Sequence, residues 1–230
     1  MIKLNSALFI IFVFAAISFA GGTSGKTLIT GDEMEVRKAG EITILKGNSK
    51  VVSDQNVITA HRIIYDKKNS VLSAFDHVIL SSKIQNDKQF EIHGSFANYY
   101  INGKKGKFWG DNTTAKYFMQ SSSSPFILSA QEIYIDRNLE TLNAYDDVVV
   151  TASNGIIYSD NAVFNGKTFS AVFQKNKKRP IADISYNDNK GSYEADEIIF
   201  HGSDDNKKII MNGSVAGKIE MEDKHNDTKN

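Results

Sequence analysis

ITAHRIIYD, residues 58–66, holds the pattern that decides the fold. Ile58 and Ala60 share one parity, Ile63 and Tyr65 share the other, and the polar pair His61-Arg62 separates them. Side chains alternate faces along an extended strand, so a slip of one residue sends every later side chain to the opposite face. All four apolar residues reach one face only if the strand carries an irregularity at its centre. The small residue Ala60 gives the backbone room to bend there. The phrase therefore reads as a strand bent in its middle, with an apolar inside.

Five further copies flank it. The small residue recurs as Gly31, Gly94, Ala130, Ser159 and Ala195. Two places before it stand Ile29, Ile92, Leu128, Ile157 and Tyr193; three places after it stand Met34, Ala97, Ile133, Ala162 and Ile198. Val36, Tyr99, Ile135, Phe164 and Phe200 close the copies. The separating pair is polar in every copy but the third, where it is Ser95-Phe96. A second column of small residues, Gly47, Ala74, Gly110, Ala144, Ala171 and Gly213, follows after a turn rich in Asn, Asp and Gly. Each copy is a strand, a tight turn and a return strand. A repeat of roughly 30 residues marks a stacked architecture in which no unit buries its apolar face alone. The expectation is an all-β chain of about six strand–turn–strand repeats. Gly31, Ala60 and Gly94 align with Ala130, Ser159 and Ala195 around the Ser121–Pro125 stretch, which reads first as a surface loop between two units and second as the boundary of an internal duplication over 28–120 and 125–220.

The ends read differently. Lys3, the uncharged run from Ala7 to Ala20 and the Ser18-Phe19-Ala20 close fit a secretory signal over residues 1–20, cut after Ala20. The alternative is a retained membrane anchor, for which the run is short. Residues 21–220 form the expected folded unit, and the polar tail 221–230 is expected to be disordered. With no cysteine there are no disulfides or thiolate metal sites. A formal net charge of zero argues against an electrostatic nucleic-acid binder.

No constellation of catalytic residues emerges. His61, His77 and His93 are evenly spaced but occupy different places in the repeat frame, hence different expected faces, and no metal is expected. Asp32-Glu33, Asp146-Asp147 and Asp204-Asp205 fall at corners and turns, where adjacent carboxylates point apart. Nothing resembles a nucleophile elbow or a phosphate loop. The basic run Lys175, Lys177, Lys178 and Arg179 reads first as a solvated loop and second as a contact for an anionic lipid headgroup. The chain reads as no enzyme and with no cofactor.

Residues 31–80, GDEMEV…LKGNSKVV…ITAHRIIYD…LSAFDHVIL, resemble the OstA-like (LptA-type) family of bacterial lipopolysaccharide-transport proteins. The likeness rests on the bend after Gly31 and Ala60, the Gly47-Asn48 pair followed by Val51, and the Tyr65-Asp66 close. Weaker copies such as LSAQEIYID and LNAYDDVVV extend it, while Phe96, Trp109 and Thr114 depart from it. The resemblance implies an open, V-shaped antiparallel β-jellyroll with an apolar trough, exported to the periplasm. It implies shielding of lipopolysaccharide acyl chains, head-to-tail stacking with itself and with other transport components of the same fold, and bridging of the two membranes. The residues implied to face lipid are Val36, Ile63, Tyr65, Tyr99, Ile133, Ile135, Phe164, Ile198 and Phe200; the same columns would serve as a dry core in any β-stack. Alternatives are an LptC-like component anchored in the inner membrane, a β-helical protein acting on polysaccharide, and an exported structural protein.

Overall fold

The computed structural model describes residues 27–53, 55–83, 89–118, 125–152, 155–186, 189–202 and 208–220. The expected signal, the tail 221–230 and Ser121–Ser124 lie outside them. The described residues form one open antiparallel sheet of sixteen strands, an open β-jellyroll.

Eight unbroken strands make the middle: β3 (Ile42–Ser53), β4 (Asn56–Asp66), β5 (Val71–Lys83), β6 (Gln89–Tyr100), β7 (Lys105–Phe118), β8 (Phe126–Asp136), β9 (Thr141–Ala152) and β10 (Gly155–Asn165). Each pairs with the next in chain order. At the two flanks the long strand is split into halves. β1 (Thr27–Thr30) and β2 (Glu33–Arg37) both pair with β3, on either side of its centre. β11 (Ser170–Gln174) and β12 (Ile181–Tyr186) divide β10 in the same way. Beyond them β14 (Glu197–His201) and β15 (Lys208–Asn212) extend one half-sheet, and β13 (Asn189–Glu194) and β16 (Ala216–Glu220) extend the other. The result is two arms joined along a line of bends. One arm holds the ends of β4, β6, β8 and β10, and the other holds their starts.

The bends fall where the phrase places them, but its partner strand supplies the extra residue. From Lys46 to Ser49 on β3 is three steps, against two from Arg62 to Ala60 on β4. β5 and β9 likewise carry one residue more than their partners, and β7 carries two. The surplus is taken up by left-handed backbone: Gly47 and Asn48, Asp76 and His77, Gly110 and Asn112, Asp146 and Asp147 all have positive φ. Gly47 sits there with φ 62°, and a Cβ on it would strike the Asp32 carboxylate. At the far end Gly213 repeats the arrangement against Asp196. Asp32 accepts from Asn48 Nδ2 at 2.9 Å, and Asp196 accepts from the Ser214 N–H at 2.9 Å. That backbone hydrogen bond, with Arg179 and Lys175 nearby, holds the Asp196 carboxyl below its ordinary pKa.

The turns use the expected chemistry. Asp66 Oδ1 accepts from the Asn69 N–H at 3.0 Å, Asp136 Oδ1 from the Asn138 N–H at 3.0 Å, and Asn165 Oδ1 from the Lys167 N–H at 2.9 Å.

Candidate functional site

Residues opposite each other in an antiparallel ladder share a face, so the register builds the interior row by row. One row runs through Met34, Leu45, Ile63, Ala74, Ala97, Phe108, Ile133 and Ala144. A second, near the turns of the same arm, runs through Val36, Thr43, Tyr65, Leu72, Tyr99, Gly106, Ile135, Leu142, Phe164, Ala171 and Phe200. On the other arm Ile29, Val51, Ile58, Leu80, Ile92, Ala115, Leu128, Val150 and Ile157 line up, and Ser53, Asn56, Ser82, Phe90, Tyr117 and Phe126 form its rim.

The two arms face each other and their rims touch. Phe126 stacks on Phe164 with ring centroids 4.9 Å apart and on Phe200 at 5.8 Å. Tyr117 meets Phe164 at 5.4 Å and Phe169 at 5.5 Å. Arg137, in the turn after β8, lays its guanidinium over the Phe90 ring at 4.8 Å.

Eight of the nine residues singled out as lipid-facing therefore come together in one buried apolar cluster: Ile63, Tyr65, Tyr99, Ile133, Ile135, Phe164, Ile198 and Phe200. The ninth, Val36, belongs to the same row but stands 50% exposed, because β2 is an edge strand that no other described strand covers. Burial lifts the pKa of the Tyr65 and Tyr117 hydroxyls.

The columns share a single concave side, and the rim contacts made by Phe90, Tyr117 and Phe126 narrow its mouth along β6–β8. The cleft at its mouth, lined by Phe90, Tyr117, Ile135, Arg137, Leu142 and Phe164 among others, holds about 30 Å³, against roughly 300 Å³ or more for an ordinary ligand pocket. Apolar walls in water close for the reason any core does: each exposed methylene costs about 0.8 kcal/mol.

Outside the interior, one reading changes. His61 and His77 do not lie on different faces; together with Asn48 and Lys50 they line one shallow outer cleft of about 380 Å³. The basic run lies in an exposed loop, where Lys175 and Arg179 reach Asp196 at 4.0 and 2.9 Å and Lys177 reaches Asp146 at 3.8 Å. Phe96 and Trp109, the misfits of the third copy, face outward in a cross-strand ladder. Phe96 stacks on Trp109 at 5.9 Å and meets Phe75 edge-on at 6.4 Å, with Arg62 over Phe75 at 5.3 Å and Lys107 over Trp109 at 5.4 Å. Lys107 also donates to Glu132 at 2.7 Å, which raises the lysine pKa and lowers the glutamate's.

Residues that the repeat pattern did not single out help complete the mouth: Phe90, Tyr117, Phe126 and Arg137. They lie at strand starts and in turns, outside the phrase; an aromatic at each start of β6 and β8 and at the end of β7 was the available signal.

The solved structure of LptH, titled the LptA homologous periplasmic component of the conserved lipopolysaccharide transport device from Pseudomonas aeruginosa, is similar at 14% identity and a TM-score of 0.44, over 52% of this chain and 81% of that chain. No curated protein matches the sequence. Residues 22–71 match the family model described as LptA/(LptD N-terminal domain) LPS transport protein.

Proposed function

We propose that the protein carries lipopolysaccharide through the periplasm by holding its acyl chains between the two arms. The observation that supports this most is the unbroken apolar interior, which runs through every paired strand from β3 to β10. A saturated chain of about 12 carbons costs on the order of 10 kcal/mol to expose to water, so a many-chained lipid needs such a lining to cross an aqueous space. The arms part along the rim contacts to admit the chains, and the sugars stay in water. Hydrocarbon then replaces ring-on-ring contacts, so the apolar surface stays covered throughout.

In this reading residues 21–220 act as one unit delivered by the N-terminal signal, and Ile63, Tyr65, Tyr99, Ile133, Ile135, Phe164, Ile198 and Phe200 contact lipid once the arms part. Val36 meets the lipid or a neighbouring subunit at the flank. The edges β1/β2 and β15/β16 present unpaired backbone, and a second copy or another component of the same fold adds its strands there to extend the lining between membranes. Mass spectrometry of lipid that copurifies with the exported protein tests the proposal. Lipopolysaccharide in near-stoichiometric amount supports it; a protein free of amphiphiles after extraction from a lipopolysaccharide-rich periplasm contradicts it.

A further inference from the structure

Among the described residues, Arg137 is a cation whose buried Nε has no acceptor, at the mouth of an apolar chamber. Its turn fixes it: the Arg137 N–H donates to the Lys104 carbonyl at 2.9 Å. The carboxylate beside it in sequence is already engaged, since Asp136 accepts from the Asn138 and Leu139 N–H groups and pairs with Lys105 at 2.8 Å. Glu140 lines the same cleft and its charge acts on the guanidinium, but no hydrogen bond or ion pair joins the two. The guanidinium instead lies over Phe90, with Nε buried and without a hydrogen-bond partner. Burial also pulls its pKa below the ordinary arginine value. A cation–π contact offsets only part of what it costs to bury such a group unpaired.

The surroundings define what would complete it. Phe90, Ile135, Leu142 and Phe164 make the cleft apolar on the inner side, while the turn opens it to solvent on the outer side. A planar guanidinium with free donors suits a phosphate or carboxylate, which it binds in bidentate fashion. We propose that Arg137 is the anion-recognition residue of the mouth, receiving the phosphate of an amphiphile whose hydrocarbon enters beside Phe90 and Phe164. This rests on the carrier reading above and adds to it a polarity: the charged head of the cargo sits at the turn after β8.

The test is a binding comparison on the purified protein with dodecyl phosphate, dodecyl maltoside and inorganic phosphate, each amphiphile kept below its micellar concentration. The wild-type protein is expected to prefer dodecyl phosphate over the maltoside by about tenfold, the usual size of a charge-assisted hydrogen bond. Arg137→Gln is expected to bring the two to parity without weakening the maltoside, and inorganic phosphate is expected not to compete. A preference that survives in Arg137→Gln, or full displacement by inorganic phosphate, overturns the assignment while leaving the carrier reading intact. Binding of neither amphiphile to the wild type overturns the carrier reading itself. Should Arg137→Gln fail to fold, the wild-type side-chain Nε resonance of Arg137 decides: it shifts on titration with dodecyl phosphate if the assignment holds and stays in place if it does not.

Discussion

Along one rim of the interior Phe90, Tyr117 and Phe126 stand side by side on β6, β7 and β8, whereas the same row on β3, β4 and β5 holds Ser53, Asn56 and Ser82. The opposite rim is large and apolar over most of its length, so the difference lies on one arm. In the aromatic stretch, rings from both arms interlock, and each such pair adds about 0.5–1.5 kcal/mol beyond its buried area. In the polar stretch no aromatic pair between described residues spans the mouth. Asn56 is 8% exposed and its Oδ1 has no hydrogen-bond partner, while the Ser82 hydroxyl reaches only the Lys83 carbonyl at 3.5 Å. The comparison teaches that closure is unequal: the centre is clamped by aromatics, and the β3–β5 side is the weaker seam. Arms that part to admit lipid would part there first.

Four changes sharpen or break that contrast. The largest effect belongs to Phe164→Ala, which removes a side chain 1% exposed from the middle of the aromatic clamp. A loss of about 3–5 kcal/mol in urea unfolding is expected; a loss below about 1 kcal/mol would show that the rings do not hold the arms. Next is Asn56→Val on the weak seam. Replacing a buried, unpaired carbonyl with an apolar side chain is expected to raise stability by about 1 kcal/mol, read as a shift in the urea midpoint at unchanged slope. A destabilised variant would mean that the amide has a partner the contrast overlooks.

Acid comes third. Asp66, Asp136, Asp196, Glu132 and Glu197 all have carboxyl pKa values lowered by the hydrogen bonds they accept. A group whose folded pKa is depressed contributes stability above its unfolded value and loses it as pH falls through the folded one. Thermal stability should therefore hold from neutrality down to about pH 4, the ordinary carboxylate value, and decline below it. These groups sit at turns and bends rather than in the clamp, so their loss should loosen the frame while the aromatic contacts persist. A flat profile down to about pH 2 would remove the carboxylates from the account. The smallest effect is Val36→Ser. On an uncovered edge strand it should change stability by no more than about 0.5 kcal/mol; a cost like that of Phe164→Ala would mean that β2 is packed against something.

Much of this was legible in the residues themselves. The switch of parity at His61-Arg62 identified a bent strand, and Ile58, Ala60, Ile63 and Tyr65 are all buried on one side of it. The Asp66, Asp136 and Asn165 turns follow from side chains that cap their own backbone. What the phrase could not reveal is long-range. Whether a row is covered depends on its neighbours, so Val36 reads like Tyr65 in sequence yet stands exposed at the flank. The misfit Ser95-Phe96 gains its reason only when β7 places Trp109 opposite Phe96 on the outer face. Two extra residues in β7 shift register without disturbing the column of small residues, and single-chain spacing carries no trace of which partner absorbs them. The closing of the mouth was equally hidden, because the residues that touch across it come from strand ends and turns of both arms.

The central claim is that hydrocarbon enters between the arms and not along their outer faces. Site-specific photo-crosslinking in cells tests it most directly, with a benzophenone side chain at Tyr65 or Phe200 on the inner rim and at Tyr134 or Tyr158 on the outer face. Lipopolysaccharide adducts at the first two positions and none at the second two are the expected result. Adducts confined to Tyr134 and Tyr158, or absent from all four in a protein that folds and is exported, would contradict the account.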